Sequence, residues 1–571
     1  MRQDNCNREI QRWDTGACSQ APVYCKVKNN MQEITKDTRI CRNCKREVTR
    51  EVLEKTYGRC VYCNHYLRIH ARKRIQMLAD EGSFVEWYSS KNSSNPFGDK
   101  SYEEKLNHSR KKHKLDEAVV IGKMKMQGIP VAIGVMDSRF FMGSMGCQVG
   151  ELITFLFENA KRHRLPVILF CCSGGARLQE GVLSLMQMQK TAEAVKRHSD
   201  AGLFYVSVLT DSTYGGVTAS FALLADIIFA EENAMIGFAG PRVIEQNTGE
   251  KLPSGFQSAA FQMQHGFVDQ IIQREHMREQ LAELLKAHCS HKKLGKKPGK
   301  IQKFGELSGA GLSTWEKLKL VRSTNRPTSR DYIEELFEEF YEMSGDRVGG
   351  NDHAIVAGIA KFNGTYVTVV GQEKGKKSVE EAVKCNWGMA SPDGYRKALR
   401  VIKQAEKFRR PVICFIDTIG AACGIDAEGK GQGLAIARLL GELSVLKTPV
   451  LSIVIGEGES GGALALGVGN EVWMMENAIY SILSPEGYAS ILWKDNSRAK
   501  EAAEEMKISA YDLKKLEIVD RVIPEREPVT RENIKEVCKV IETMLGDFLN
   551  RYSRKMQWQI VRERHHRFRK F

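Results

Sequence analysis

Two groups of residues in this chain are suited to chemistry by type and spacing. The first is a set of four cysteines, Cys41-Arg42-Asn43-Cys44 and Cys60-Val61-Tyr62-Cys63, with 15 residues between the pairs. Each Cys-x-x-Cys knuckle wraps two thiolates round one ion. Four sulfurs close a tetrahedron and leave no position for water, so the implied zinc is structural. In the second group no side chain stands out as a general base. Val450 to Ile455 is a largely apolar, β-branched run that stops at Gly456-Glu457-Gly458-Glu459-Ser460-Gly461-Gly462, after which Ala463 to Val468 reads as a small-residue helix. A strand, a glycine turn and a helix in that order leave backbone N–H groups without acceptors, which suits them to an anion or a transient oxyanion. At Gly461 and Gly462 a ligand oxygen can approach closer than any Cβ would allow.

The chain carries this arrangement twice. Pro166-Val167-Ile168-Leu169-Phe170 is answered 245 positions on by Pro411-Val412-Ile413-Cys414-Phe415. Tyr205 to Leu209 and the turn Thr213-Tyr214-Gly215-Gly216 answer the stretch from Pro449, with Gly215 and Gly461 246 apart, and Gly240-Pro241 answers Ser484-Pro485 at 244. A nearly constant offset over three separated motifs predicts two copies of one α/β domain, strands alternating with helices in each. The first copy adds Ser173-Gly174-Gly175-Ala176-Arg177, a second strand-end glycine turn.

The elements that must position these turns divide the chain as follows. Residues 1–36 carry no periodic pattern and read as a loose arm, 37–66 as the zinc ribbon, and 67–290 as the first large domain. Residues 291–330 form a basic linker, 331–526 the second domain, and 527–571 a basic helical tail. No run of 18 uncharged apolar residues occurs, which argues against a membrane span, and the N-terminal stretch lacks an apolar signal core. The 11 cysteines outside the knuckles sit scattered, as in a reducing cytoplasm rather than a disulfide framework. Of the net charge of +15, six come from Lys292 to Lys303 and seven from Arg551 to Phe571. The basic character therefore belongs to a linker and a tail, which reads first as solvated surface and second as a contact for an acidic partner, nucleic acid included.

Long motifs give these observations a family. The zinc knuckles, Phe141-Met142-Gly143-Ser144-Met145-Gly146, Ser173 to Arg177 and Gly237 to Ile244 resemble the β subunit of bacterial acetyl-CoA carboxylase carboxyltransferase. Arg326-Pro327-Thr328, Gly345-Asp346-Arg347, Pro392 to Ala398 and Ser484-Pro485-Glu486-Gly487 resemble its α subunit, so the chain looks like β and α joined in one polypeptide. The resemblance implies two crotonase-like domains behind a four-cysteine zinc ribbon. It also implies a biotin carboxyl carrier protein and a biotin carboxylase as partners, a homodimer of the fused chain, and transfer of a carboxyl group from carboxybiotin to acetyl-CoA.

It assigns Gly215 and Gly216 to the acetyl-CoA enolate and Gly461 and Gly462 to biotin, with Gly174, Gly175, Gly420 and Ala421 as runners-up. Arg242, Lys374 and Arg396 are the cations it offers to the CoA phosphates. A different acyl-CoA, such as propionyl-CoA, is the alternative substrate, and a zinc-ribbon regulator of nucleic acid the alternative class. The resemblance also departs in places. The family has Pro-Gly-Ala-Tyr-Pro-Gly where this chain reads Ile419-Gly420-Ala421-Ala422-Cys423-Gly424, a His where Gln372 stands, and a Gly where Glu459 stands.

Overall fold

A computed structural model describes residues 38–88, 95–249, 251–289, 311–375 and 377–571. The expected arm and the lysine-rich part of the linker lie outside the described residues.

The duplication read from sequence is a duplication of topology. In the first half, seven strands run in spatial order β1 (Val85–Glu86), β2 (Val119–Met126), β3 (Ile129–Met136), β4 (Val167–Ser173), β5 (Tyr205–Thr213), β6 (Ile227–Glu231) and β7 (Gln270–Ile272). The first two pairings are antiparallel and the remaining four parallel. The second half repeats this with β8 (Glu339–Glu342), β9 (Ile355–Phe362), β10 (Thr365–Gln372), β11 (Val412–Thr418), β12 (Val450–Glu459), β13 (Glu471–Met475) and β15 (Arg521–Ile523), while β14 (Ile479–Ser481) pairs with the far end of β12. The central parallel strands β4, β11 and β12 are buried along their whole length, as in a sheet covered by helices on its faces.

The repeat extends to irregularities. Register slips between Cys171 and Ser173 in one sheet and between Ile416 and Thr418 in the other, each 245 residues from its counterpart. Met142 and Trp387 both adopt the left-handed conformation, with φ of 54° and 51°. So do Gly215 and Ser460, at 67° and 62°. This corrects the spacing read from sequence: Ser460, not Gly461, is the equivalent of Gly215, and the offset at these turns is 245, as at the register slips. Sequence comparison paired glycine with glycine, whereas the backbone pairs left-handed residue with left-handed residue.

Zinc knuckles and first sheet are stapled by charge. Arg74 on the helix Ala71–Leu78 donates to Glu231 at the end of β6 at 2.6 Å, and Arg274 forks onto the same carboxylate. Burial alone would raise that carboxyl, but the two guanidiniums hold it down at about 2. The halves meet where β6 and β7 face the helix Pro392–Phe408. Lys407 reaches Asp226 at 2.6 Å and Arg400 reaches Asp269 at 3.0 Å. Phe204 lies flat on His288 at 3.6 Å and edge-on to Phe408. The Gly345-Asp346-Arg347 motif belongs to this seam: a Cβ on Gly345 would stand 2.2 Å from Cα of Gly266, and Arg347 donates to the Phe267 carbonyl.

Two stretches differ from their sequence reading. The helix Thr314–Arg322, assigned to the linker, buries Leu318 and Val321 against Ile479 and Ile508 of the second half. The C-terminal segment is not a solvated basic tail. Its helices Ile534–Tyr552 and Gln557–Phe568 bury Ile541, Leu545 and Phe548, and Phe548 meets Trp473 edge-on. Arg564 caps the carbonyls of Leu443 and Leu446, while Arg551, Lys555, Arg567 and Lys570 pair with Glu471, Glu563, Asp520 and Glu517. Composition counted the cations but could not see their partners. Leu545→Ala is expected to lower stability by about 2–5 kcal/mol, read as a clear fall in melting temperature, whereas exposed Lys539→Ala should leave it unchanged.

Candidate functional site

Backbone donors at the carboxyl ends of the parallel strands form the site, and their availability depends on which N–H groups are already taken. In the first half β4 ends in Ser173, whose hydroxyl accepts from Gly175 N–H at 3.0 Å. Gly174 N–H donates to Met142 O at 2.9 Å, and Gly215 N–H donates to Phe238 O at 2.8 Å. Three of the four glycines singled out in this half are therefore occupied. Ala176 and Gly216 have backbone N–H groups without a partner among the described residues. They are neighbours, because a Cβ on Gly215 would lie 3.8 Å from Ala176 N and 2.8 Å from Gly175 Cα. Only a glycine at φ +67° can let those two turns touch.

The second half is built alike. Thr418 Oγ1 accepts from Gly420 N–H at 3.1 Å and donates to Gly420 O at 2.6 Å. Ala421, Gly461 and Gly462 keep free N–H groups in the described structure, the two glycines lying in the first turn of the helix Ser460–Leu464. A Cβ on Gly462 would stand 2.4 Å from Gly420 O and 2.8 Å from Ala421 N, so this turn also presses on its neighbour. Gln372, at the position of the family's histidine, donates to Gly462 O at 2.8 Å and fixes that turn from below. The first half thus presents an adjacent pair of open donors, Ala176 with Gly216; the second presents three, of which Ala421 and Gly461 are the equivalents of that pair 245 residues on. Ala176 was missed from sequence, although its place 245 residues before Ala421 was a usable signal.

Buried charge holds the turns in place. Arg177, fully buried, forks onto Glu117 at 2.7 and 2.9 Å and donates to Ser144 O at 3.0 Å, which pins the loop carrying Ala176. In the second half Lys374 lies between Asp417, at 2.8 Å, and Glu457, while Arg322 joins Glu457 at 2.7 Å and Glu486 at 2.6 Å. Lys374 is 4 % exposed and committed to two carboxylates, so it is not a cation waiting for a CoA phosphate. Arg396 is likewise engaged, by Asp346 at 2.8 Å and the Lys430 carbonyl at 3.2 Å. Both take structural roles that burial decides and sequence could not. The side chain of Arg242 lies outside the described residues.

The four cysteines come together as their spacing requires. All four sulfurs lie within 4.8 Å of one another, with Cys41 and Cys63 at 3.6 Å and Cys44 and Cys60 at 3.7 Å. A zinc–sulfur bond of about 2.3 Å gives a tetrahedral edge of about 3.8 Å, so the donor set fits zinc. The knuckles are closed by matching turns, Lys45 N–H to Cys41 O and Asn64 N–H to Cys60 O, with both turn residues left-handed. The His65 backbone N–H pulls the Cys63 thiol down, towards the thiolate a metal needs, whereas Cys44, despite the Arg46 backbone N–H, is raised by burial and the neighbouring thiols. Cys41, Cys44, Cys60 and Cys63 would hold the ion, and the ribbon would pass its rigidity on through Arg68, which pairs with Asp211 at 3.1 Å just ahead of the Gly215 turn.

A family model described as acetyl co-enzyme A carboxylase carboxyltransferase-like matches residues 266–571. The acetyl-coenzyme A carboxylase carboxyl transferase subunits beta/alpha of Natranaerobius thermophilus is 48% identical over 546 residues, covering 93% of this chain and 90% of that protein. Its counterpart from Clostridium tetani is 47% identical over 532 residues, covering 93% and 92%. Among solved structures, transcarboxylase 12S with methylmalonyl-coenzyme A and methylmalonic acid bound has the same fold, with a TM-score of 0.68 at 22% identity over 89% of this chain and 93% of that one.

Two substitutions separate donor geometry from packing. A Cβ at Gly461 meets nothing within 4 Å, so Gly461→Val is expected to fold normally while its side chain crowds the open N–H. Gly462→Val would drive a methyl into the Gly420 carbonyl and is expected to melt well below wild type. Cys41→Ser should lose zinc, measured by metal analysis, and melt lower with it.

Proposed function

This chain belongs to the acetyl-CoA carboxylase carboxyltransferase family, with two crotonase-like domains and a four-cysteine ribbon, and on that footing we propose the chemistry of its two donor pairs. It transfers a carboxyl group to acetyl-CoA, forming malonyl-CoA. Carboxybiotin, presented by a partner biotin carboxyl carrier protein that a biotin carboxylase charges, supplies the carboxyl group and afterwards a ureido nitrogen able to take the methyl proton.

The observation that carries this reading is the duplicated pair of open backbone donors at the strand-end turns. Removing a proton from a thioester methyl places negative charge on the thioester oxygen, and releasing the carboxyl group from a ureido ring places it on the ureido oxygen. Two oxyanions call for two sets of donors. Ala176 and Gly216 hold the first, and Ala421 and Gly461 the second. One donor aimed at such a developing charge is worth about 3–4 kcal/mol. Holding both reactants in register supplies the rest without a protein base.

Large apolar side chains stand in solvent beside both turns, among them Leu178 at 86 % exposed and Ile425 at 95 %. A second copy of the chain covers them in the proposed assembly, with the β-like half of one protomer set against the α-like half of the other. Among the described residues no helix is long and apolar enough to cross a membrane and the cysteines are free, which supports a cytoplasmic setting. The nucleic-acid reading loses part of its support, since Arg551, Lys555, Arg567 and Lys570 are paired within the fold.

The test runs the reaction backwards, with malonyl-CoA and free biotin as substrates and acetyl-CoA as the measured product. Transfer is expected, weaker with methylmalonyl-CoA, and Gly461→Val should lower turnover at least about tenfold. A folded chain that transfers nothing yet binds RNA with a steep salt dependence would overturn the reading.

A further inference from the structure

The position before the left-handed residue of the second turn holds Glu459, and its surroundings are unusual for a glutamate. It is the last residue of β12 and the neighbour of Ser460 and Gly461, yet it is 1 % exposed. Its Oε1 is buried without a hydrogen-bond partner among the described residues. Strand alternation puts Glu459 on the same face as Glu457, two residues back. That face looks onto charges from every element packed there: Glu457 on β12 itself, Asp417 at the end of β11, Lys374 after β10, Arg322 on the helix Thr314–Arg322, and Glu486 on the helix Pro485–Tyr488. These are two cations and three carboxylates. The cations are already shared out among the three, so a fourth carboxylate would be an uncompensated buried charge.

We propose that Glu459 is a positioning residue for the second donor pair: it adjoins Ser460 and Gly461 as a buried neutral carboxylic acid, and losing its proton sets a negative charge next to the turn that must receive an oxyanion. This role rests on the carboxyltransferase reading given above. Burial first and the Glu457 carboxylate second push the Glu459 carboxyl up to about 8, against the pull of Arg322 and Lys374. The uncharged form therefore prevails at neutral pH and fades above it. A like charge set close behind a hydrogen-bond donor weakens its hold on an anion, all the more where water is excluded. In the first half the matching residue is Tyr214, a neutral group through the same range.

Glu459→Gln keeps shape and removes the titration. With malonyl-CoA and free biotin as substrates, wild-type kcat is expected to fall about tenfold between pH 7.5 and 9.5, whereas the variant loses that alkaline limb and exceeds wild type at pH 9.5. The KM for malonyl-CoA, bound by the other half, should follow the same course in both. Melting temperatures give a readout independent of activity. The unfolded chain releases this proton above the ordinary glutamate value of 4.5, while the folded chain keeps it to about 8. Wild-type stability is therefore lost through that window as pH rises and levels off beyond it. The gap by which Glu459→Gln melts above wild type, measured from pH 5 to 9, should widen up to about pH 8 and then stay constant. An alkaline limb unchanged in the variant, or a melting gap independent of pH, would overturn the proposal. No transfer by folded wild type at any pH would overturn the function and this role together, and the melting series tells that failure from a Glu459 that ionises early.

Discussion

A buried peptide N–H without an acceptor is costly, and this fold is arranged so that only a few remain. At each strand-end turn a hydroxyl, Ser173 or Thr418, takes the N–H of the glycine two residues on. A left-handed residue, Gly215 or Ser460, then turns the chain so that the next N–H faces outward. What is left over in each half is a small set of donors from two different turns, kept close because the turns touch. The seven-strand order, the matching register slips and the close backbone contacts all act on that one outcome.

Rigidity comes from ions placed where water is not. Arg177 with Glu117 and Lys374 with Asp417 and Glu457 tie the turns to distant parts of the chain. Such pairs gain little net stability over apolar packing, because desolvating both partners offsets most of the attraction. Their geometry is nonetheless demanding, and removing one partner strands the other. This explains why the lysine and arginine that looked free to meet phosphate in the sequence are fully engaged. A cation in a cluster this close to neutral has no spare field for a ligand.

The sequence showed what depends on residue type and spacing. Two knuckles of fixed pitch declared the ribbon, and a repeat near 245 residues declared two domains of one design. The turns were located to within a residue. It did not show which glycine N–H was open, since that is decided by Met142 O, Phe238 O and two hydroxyls, acceptors that come near only in three dimensions. For the same reason Ser460 hid behind the more conspicuous Gly461-Gly462, and the C-terminal cations read as a tail while their carboxylate partners lay far off in the chain.

The seam joining Lys407 and Arg400 to Asp226 and Asp269 has a bearing on supply. With both halves on one polypeptide, every molecule synthesised delivers them in equal number, whatever the level of expression. Neither can build up as an orphan with its greasy flank bare, and the contact between them need not be tight enough to survive dilution.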